Sequence, residues 1–228
     1  MAKPMGILHS NTLMRVYMAA IALAGGAALL LQFPLSIAAS RTNGISLAGA
    51  IITYFSFFTI LTNILVVVSL VCPLWIANSS AGRLFSRPEV ITGIAIYIAT
   101  VGSVYSLLLR QLWAPEGLQK IADVVLHDLV PVLYAVYWLI FVPKRTLRWK
   151  NILSWLAYPL AYLAFVLFRG AMSGRYPYHF IDVGALGYPR VFLNAALLLA
   201  AFLVVGVIVV AVGRRTGRGS DDGLSLRT

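Results

Sequence analysis

Between Arg15 and Arg41, and again between Arg41 and Arg83, the chain carries no charged side chain. A helix crosses the hydrocarbon core of a bilayer with about 20 apolar residues, so stretches of this length are more than a soluble helix needs to bury one face. Further apolar runs follow between Glu89 and Arg110, over residues 121–141, between Lys150 and Arg169, and between Arg190 and Arg214. Across the 228 residues 61% of side chains are hydrophobic and 11% charged, and the mean hydropathy is +0.89. A soluble domain does not have that balance. The sequence therefore predicts an all-α, polytopic membrane protein, a six-transmembrane-helix bundle.

The first span is expected over residues 16–40. Lys3 and Arg15 ahead of it and Ser36-Ile-Ala38 near its end imitate a signal peptide, but the uncharged stretch outruns a signal core of about 7–15 residues. The second is expected as one helix from Ile51 to Val71, bracketed by the Gly44–Gly49 stretch and Cys72-Pro73. Residues 1–213 read as a single six-helix domain. Residues 214–228, with Gly217, Gly219, Ser220 and two Asp, read as a disordered, solvated cytoplasmic tail.

Eighteen Lys and Arg against seven Asp and Glu give a net charge of +11. In a soluble protein that would suggest nucleic acid. Here the basic residues flank the apolar runs, so they serve topology and contact with anionic lipid headgroups, and no nucleic-acid motif competes. Six spans put both termini on one side. If that side is cytoplasmic, 12 of the 18 basic residues lie inside, which predicts N-in, C-in insertion in a plasma membrane. Cys72 is the single cysteine, which excludes an internal disulfide and a Cys-based metal cluster. No metal or cofactor is expected.

The most chemical stretch is Asp123-Val-Val-Leu-His127-Asp128-Leu-Val-Pro131. Asp123 and His127 stand four apart on one helical face, where a carboxylate can orient an imidazole. Pro131 frees a backbone carbonyl, tolerable in a membrane only where a neighbouring helix or water can satisfy it, so this segment should face protein. The predicted orientation puts it at the outer pole with Arg110, Arg169 and the loop from Arg175 and Tyr176 to Asp182. Interfacial anchoring would also account for these arginines and aromatics.

A second polar group lies in Tyr54-Phe-Ser-Phe-Phe-Thr59-Ile-Leu-Thr62-Asn63, where residues 59, 62 and 63 share a face that must point into the protein. Interhelical hydrogen bonding is the simpler role for such a stripe. With a rise of about 1.5 Å per residue, Thr59 would lie about 12 Å below Ile51 and His127 about 9 Å below Ile121, similar depths. A threonine hydroxyl needs a base to become a nucleophile, and a histidine held by an aspartate is suited to that task. Thr59, His127 and Asp123 are the candidate catalytic residues. No Gly-x-Ser-x-Gly, His-Glu-x-x-His or phosphate-loop motif is present.

Phe58-Thr59-Ile-Leu-Thr62-Asn63, Leu126-His127-Asp-Leu-Val-Pro131, and Tyr176-Pro177 with Phe180-Ile-Asp182 together resemble the androgen-induced-gene family and its bacterial relatives. The resemblance spans residues 13–213. It implies a six-helix membrane threonine hydrolase of fatty acid esters of hydroxy fatty acids, with Thr59 at the nucleophile position and His127 at that of the base. Asn63, Arg110, Arg169, Arg175, Tyr176 and Asp182 are the candidate substrate-binding residues, membrane lipids and a fatty acyl ester the expected partners. Two other classes compete: a small transporter or proton-coupled carrier, suggested by Asp123, His127, Asp128 and Arg110, and a non-enzymatic membrane scaffold or lipid-binding protein.

Overall fold

The computed structural model describes residues 5–112 and 114–218, with side chains over 12–112 and 114–213. It is all-α, with six helices long and apolar enough to cross a membrane: 12–42, 58–75, 88–109, 117–141, 150–173 and 183–213. The chain divides into two compact units, residues 1–142 and 143–228.

The first unit holds four spans. Helix α1 (Met5–Thr42) packs on α3 (Phe58–Trp75), α3 on α5 (Pro88–Val104), α5 on α7 (Val130–Phe141), and α7 back on α1, closing a ring of antiparallel neighbours. Its interior combines aliphatic residues such as Ile21, Val66, Leu70, Ile98 and Val130 with paired polar groups. Ser69 and Tyr134 share a hydrogen bond of 3.0 Å, and the Trp138 indole donates to the Thr92 hydroxyl at 2.9 Å. Apolar contact alone does not hold helices together against lipid, so such pairs and close packing hold this ring.

The second span differs from expectation. Instead of one helix from Ile51 to Val71, a short α2 (Leu47–Tyr54), capped by the Ser46 hydroxyl, stops before Phe57, whose backbone is extended (φ −81°, ψ 127°). Four aromatics crowd this turn. The Tyr54 hydroxyl reaches the Leu29 carbonyl at 2.9 Å and its ring meets Phe33 edge-on at 5.1 Å, which fixes the break against α1. Helix α3 then starts at Phe58 and runs through Cys72-Pro73 to Trp75.

After the short α4 (Ser80–Phe85), the third span opens with Pro88 at the first helical position and Glu89 in its first turn, both favoured at a helix start. It ends in a π-helical turn, Tyr105–Leu109. The fourth is α6 (Gly117–Val124), a second π turn (Val125–Leu129), and α7.

The second unit is α8 (Lys150–Ser173) packed on α9 (Val183–Arg218), joined through a single 3-10 turn, His179–Ile181. Gly174 closes α8 at φ +67°, and the path of α9 breaks at Gly187, φ +73°, two conformations that favour glycine. Residues 214–218 continue α9; the remainder of the expected tail lies outside the described residues.

Candidate functional site

Pro131 explains the local shape of the fourth span. It lacks an N–H, and the Val130 N–H is taken by the Val125 carbonyl in the π turn, so the helix itself has no donor for the Leu126 carbonyl. The Asn63 side chain supplies one: its Nδ2 donates to Leu126 O at 3.2 Å. A neighbouring helix thus satisfies a carbonyl freed by the proline. Gly102 lets α5 approach the same place, since a Cβ there would lie 3.0 Å from the His127 carbonyl oxygen and 3.1 Å from Pro131 Cβ.

Asn63 Nδ2 also donates to the Thr59 carbonyl at 2.9 Å. One nitrogen therefore holds the first turn of α3 beside the π turn that carries His127. Thr59 is the second residue of α3, 8% exposed, and Thr62 and Asn63 are 0% exposed. The stripe faces the interior, as an uncharged polar face in a membrane helix must. The two constellations are brought near each other by a helix break and a side-chain bridge, not by equal depth along two unbroken helices. Among the described residues the buried Asn63 Oδ1 atom meets no hydrogen-bond donor.

His127 is fixed on two sides. Its Nδ1 lies 3.0 Å from the Asp123 carbonyl oxygen and 3.2 Å from Asp123 Oδ1. Two acceptors at Nδ1 place the proton there and leave Nε2 as the basic nitrogen. The hydrogen bonds of His127 run to Asp123 alone, so none joins it to Thr59 among the described residues. Asp123, 6% exposed, accepts a second bond at Oδ2 from the Tyr105 hydroxyl. The Tyr105 ring stacks on the imidazole, with centroids 4.0 Å apart and planes 19° from parallel.

Arg110 completes the group. Its guanidinium pairs with Asp128, stands over the Tyr105 ring at 5.0 Å, and donates to Ser106 Oγ at 3.3 Å. The hydrogen bond to Asp128 holds its pKa above the ordinary arginine value. The ion pair links the ends of the two π turns and is partly exposed.

Sequence reasoning missed Tyr105. It stands five residues before Arg110, a spacing that a regular α-helix turns to different faces and a π turn brings together. The Arg110 N–H to Tyr105 carbonyl bond of 2.8 Å is that turn's closing bond. A Tyr and an Arg so spaced, next to the apolar run Leu107-Leu-Leu109, were the available signal.

The remaining candidates belong to the second unit. Arg169 Nη1 donates to the Arg175 carbonyl at 3.3 Å, closing the loop after α8. Tyr176 lies so close over Gly170 that a Cβ there would come within 1.9 Å of its ring. Asp182 Oδ1 accepts from the Ala185 N–H at 3.1 Å, capping α9, and the Arg175 side chain is exposed. Among the described residues no three His, Cys, Asp or Glu side chains gather as metal ligands. Comparison of the chain with protein-family models, curated proteins and solved structures gave no match.

Proposed function

We propose that the protein is a membrane-embedded hydrolase of fatty acyl esters, with Thr59 as nucleophile, His127 as base and Asp123 as the residue that orients it. The observation that carries this reading is the anchoring of His127 Nδ1 on Asp123, which leaves Nε2 as the proton acceptor, on a π turn that Asn63 ties to the first turn of α3, where Thr59 stands. In the reaction, Nε2 takes the Thr59 hydroxyl proton as Oγ1 attacks the ester carbonyl carbon. The tetrahedral intermediate then expels the alcohol, which leaves with the proton from Nε2, and an acyl-threonine remains. Water, deprotonated by the same nitrogen, releases the fatty acid and restores the hydroxyl. The Thr59 side chain must turn toward Nε2 when substrate binds, as catalytic hydrogen bonds often tighten only then. The basic bias of the loops supports placing this chemistry at the outer leaflet, and the short motifs shared with the androgen-induced-gene family support the assignment of roles.

The test is labelling of membranes by a fluorophosphonate probe, followed by peptide mass spectrometry. A single adduct on Thr59, lost in Thr59→Ala together with ester hydrolysis, is the expected result. A folded Thr59→Ala protein with wild-type hydrolysis and labelling overturns the proposal. The broken second span beside ionisable residues also favours a proton-coupled carrier. Proton flux in proteoliposomes without probe labelling would select that reading.

A further inference from the structure

We infer that Tyr105 is the positioning residue that holds His127 in a single tautomer and a single ring orientation. This deepens the proposed chemistry, resting on that reading only for its kinetic consequence. The argument starts from Asp123, a buried carboxylate with two oxygens and two partners. Oδ1 faces His127 Nδ1 at 3.2 Å, and Oδ2 receives the Tyr105 hydroxyl. An ionised carboxylate removed from water needs both oxygens satisfied. Without the phenol, Oδ2 would lack its donor, and the carboxylate could turn away from the imidazole or take up a proton itself. Either change weakens the preference for a proton on Nδ1.

The second restraint is the ring stack. With centroids 4.0 Å apart and planes 19° from parallel, the Tyr105 ring covers one imidazole face. A 180° turn of the imidazole about its Cβ–Cγ bond would sweep its edge through the phenol ring, so Nδ1 cannot leave Asp123 while the stack persists. The imidazole and its carboxylate come from the fourth span, and the phenol from the third. The restraint therefore depends on the packing of α5 on α7, where Gly102 admits the His127 carbonyl and Pro131. Both π turns lie at this contact. The guanidinium of Arg110 over the same ring, tied to Asp128, keeps the end of the third span in place.

Two variants separate the contributions. Tyr105→Phe keeps the stack and removes the hydrogen bond; Tyr105→Leu removes both. Histidine-selective 15N NMR of the full-length protein in detergent micelles, at about pH 9 where an ordinary imidazole is neutral, reads the tautomer directly. Assignment of the His127 signal uses His9→Gln and His179→Gln backgrounds. The wild type is expected to show one form, protonated at Nδ1. Tyr105→Phe is expected to show a fraction protonated at Nε2, and Tyr105→Leu a larger one. In parallel, kcat for ester hydrolysis should fall about 10- to 100-fold in Tyr105→Phe, the size of one hydrogen bond to a charged group, with KM within about twofold because substrate binding is untouched. A wild-type tautomer pattern in Tyr105→Phe overturns the inference even if Tyr105→Leu does not fold. If the wild type hydrolyses no ester, the hydrolase reading falls, and the tautomer populations still decide the role of Tyr105.

Discussion

The side-chain amide of Asn63 donates to the Leu126 carbonyl across 3.2 Å, joining the second span to the fourth where Pro131 interrupts the helix ladder. The proline removes a donor and the asparagine replaces it from another helix. Their effects should therefore be coupled. Asn63→Ala leaves a buried carbonyl without its donor, a loss of about 1–3 kcal/mol, measurable by thermal or denaturant unfolding in detergent. Pro131→Ala restores a backbone N–H at the position that can serve that carbonyl. The double variant should be more stable than additivity allows, by at least about 0.5 kcal/mol. Asn43→Ala, at an exposed helix end, should change stability by no more than about 0.5 kcal/mol.

The close approach of α5 to the fourth span at Gly102 gives a second contrast. Gly102→Ala forces a methyl against the His127 carbonyl oxygen at 3.0 Å and Pro131 at 3.1 Å, and should destabilise the protein by about 1–3 kcal/mol. At Gly26 a Cβ meets nothing within 4 Å. Gly26→Ala should be neutral or stabilising by up to about 1 kcal/mol, because alanine favours the helix. Equal effects of the two changes would refute the packing described.

Thr59→Ala and His127→Ala should each lower ester hydrolysis by at least about a thousandfold, and the double variant should be no slower than either alone, since members of one catalytic unit fail together. Thr62→Ala should retain most activity. Additive losses would separate the two residues into independent roles.

The Tyr54 hydroxyl donates to the Leu29 carbonyl at 2.9 Å and fixes the break before α3 against α1. Tyr54→Phe should lose about 1 kcal/mol of stability with that bond, measured by thermal unfolding in detergent.

Orientation is testable with single cysteines after Cys72→Ser. A thiol at Asn43, exposed between the first and second spans, should react with an impermeant maleimide from outside. One at Asn78, exposed between the second and third, should react only after the inner face is opened. The reverse pattern would invert the topology inferred from the basic residues.

The spans themselves were legible in the sequence because the cost of placing charge in hydrocarbon is local: Arg15, Arg41, Glu89, Arg110 and Lys150 mark limits that no packing can move far. The same holds for Asp123 and His127, whose spacing of four fixes a shared face in any helix, and for the donor that Pro131 removes. What replaces that donor was not legible. Asn63 lies 63 positions from Leu126 and reads equally well as a residue bonding within its own helix. The break at Phe57 and the π turn at Val125–Leu129 are each fixed by a partner on another helix, the Leu29 carbonyl for the Tyr54 hydroxyl and the Asn63 amide for the Leu126 carbonyl. A sequence states which bonds are lost. Only the packing of four helices decides whether they are regained, and that decision set the start of Thr59's helix and brought Tyr105 onto the face of His127.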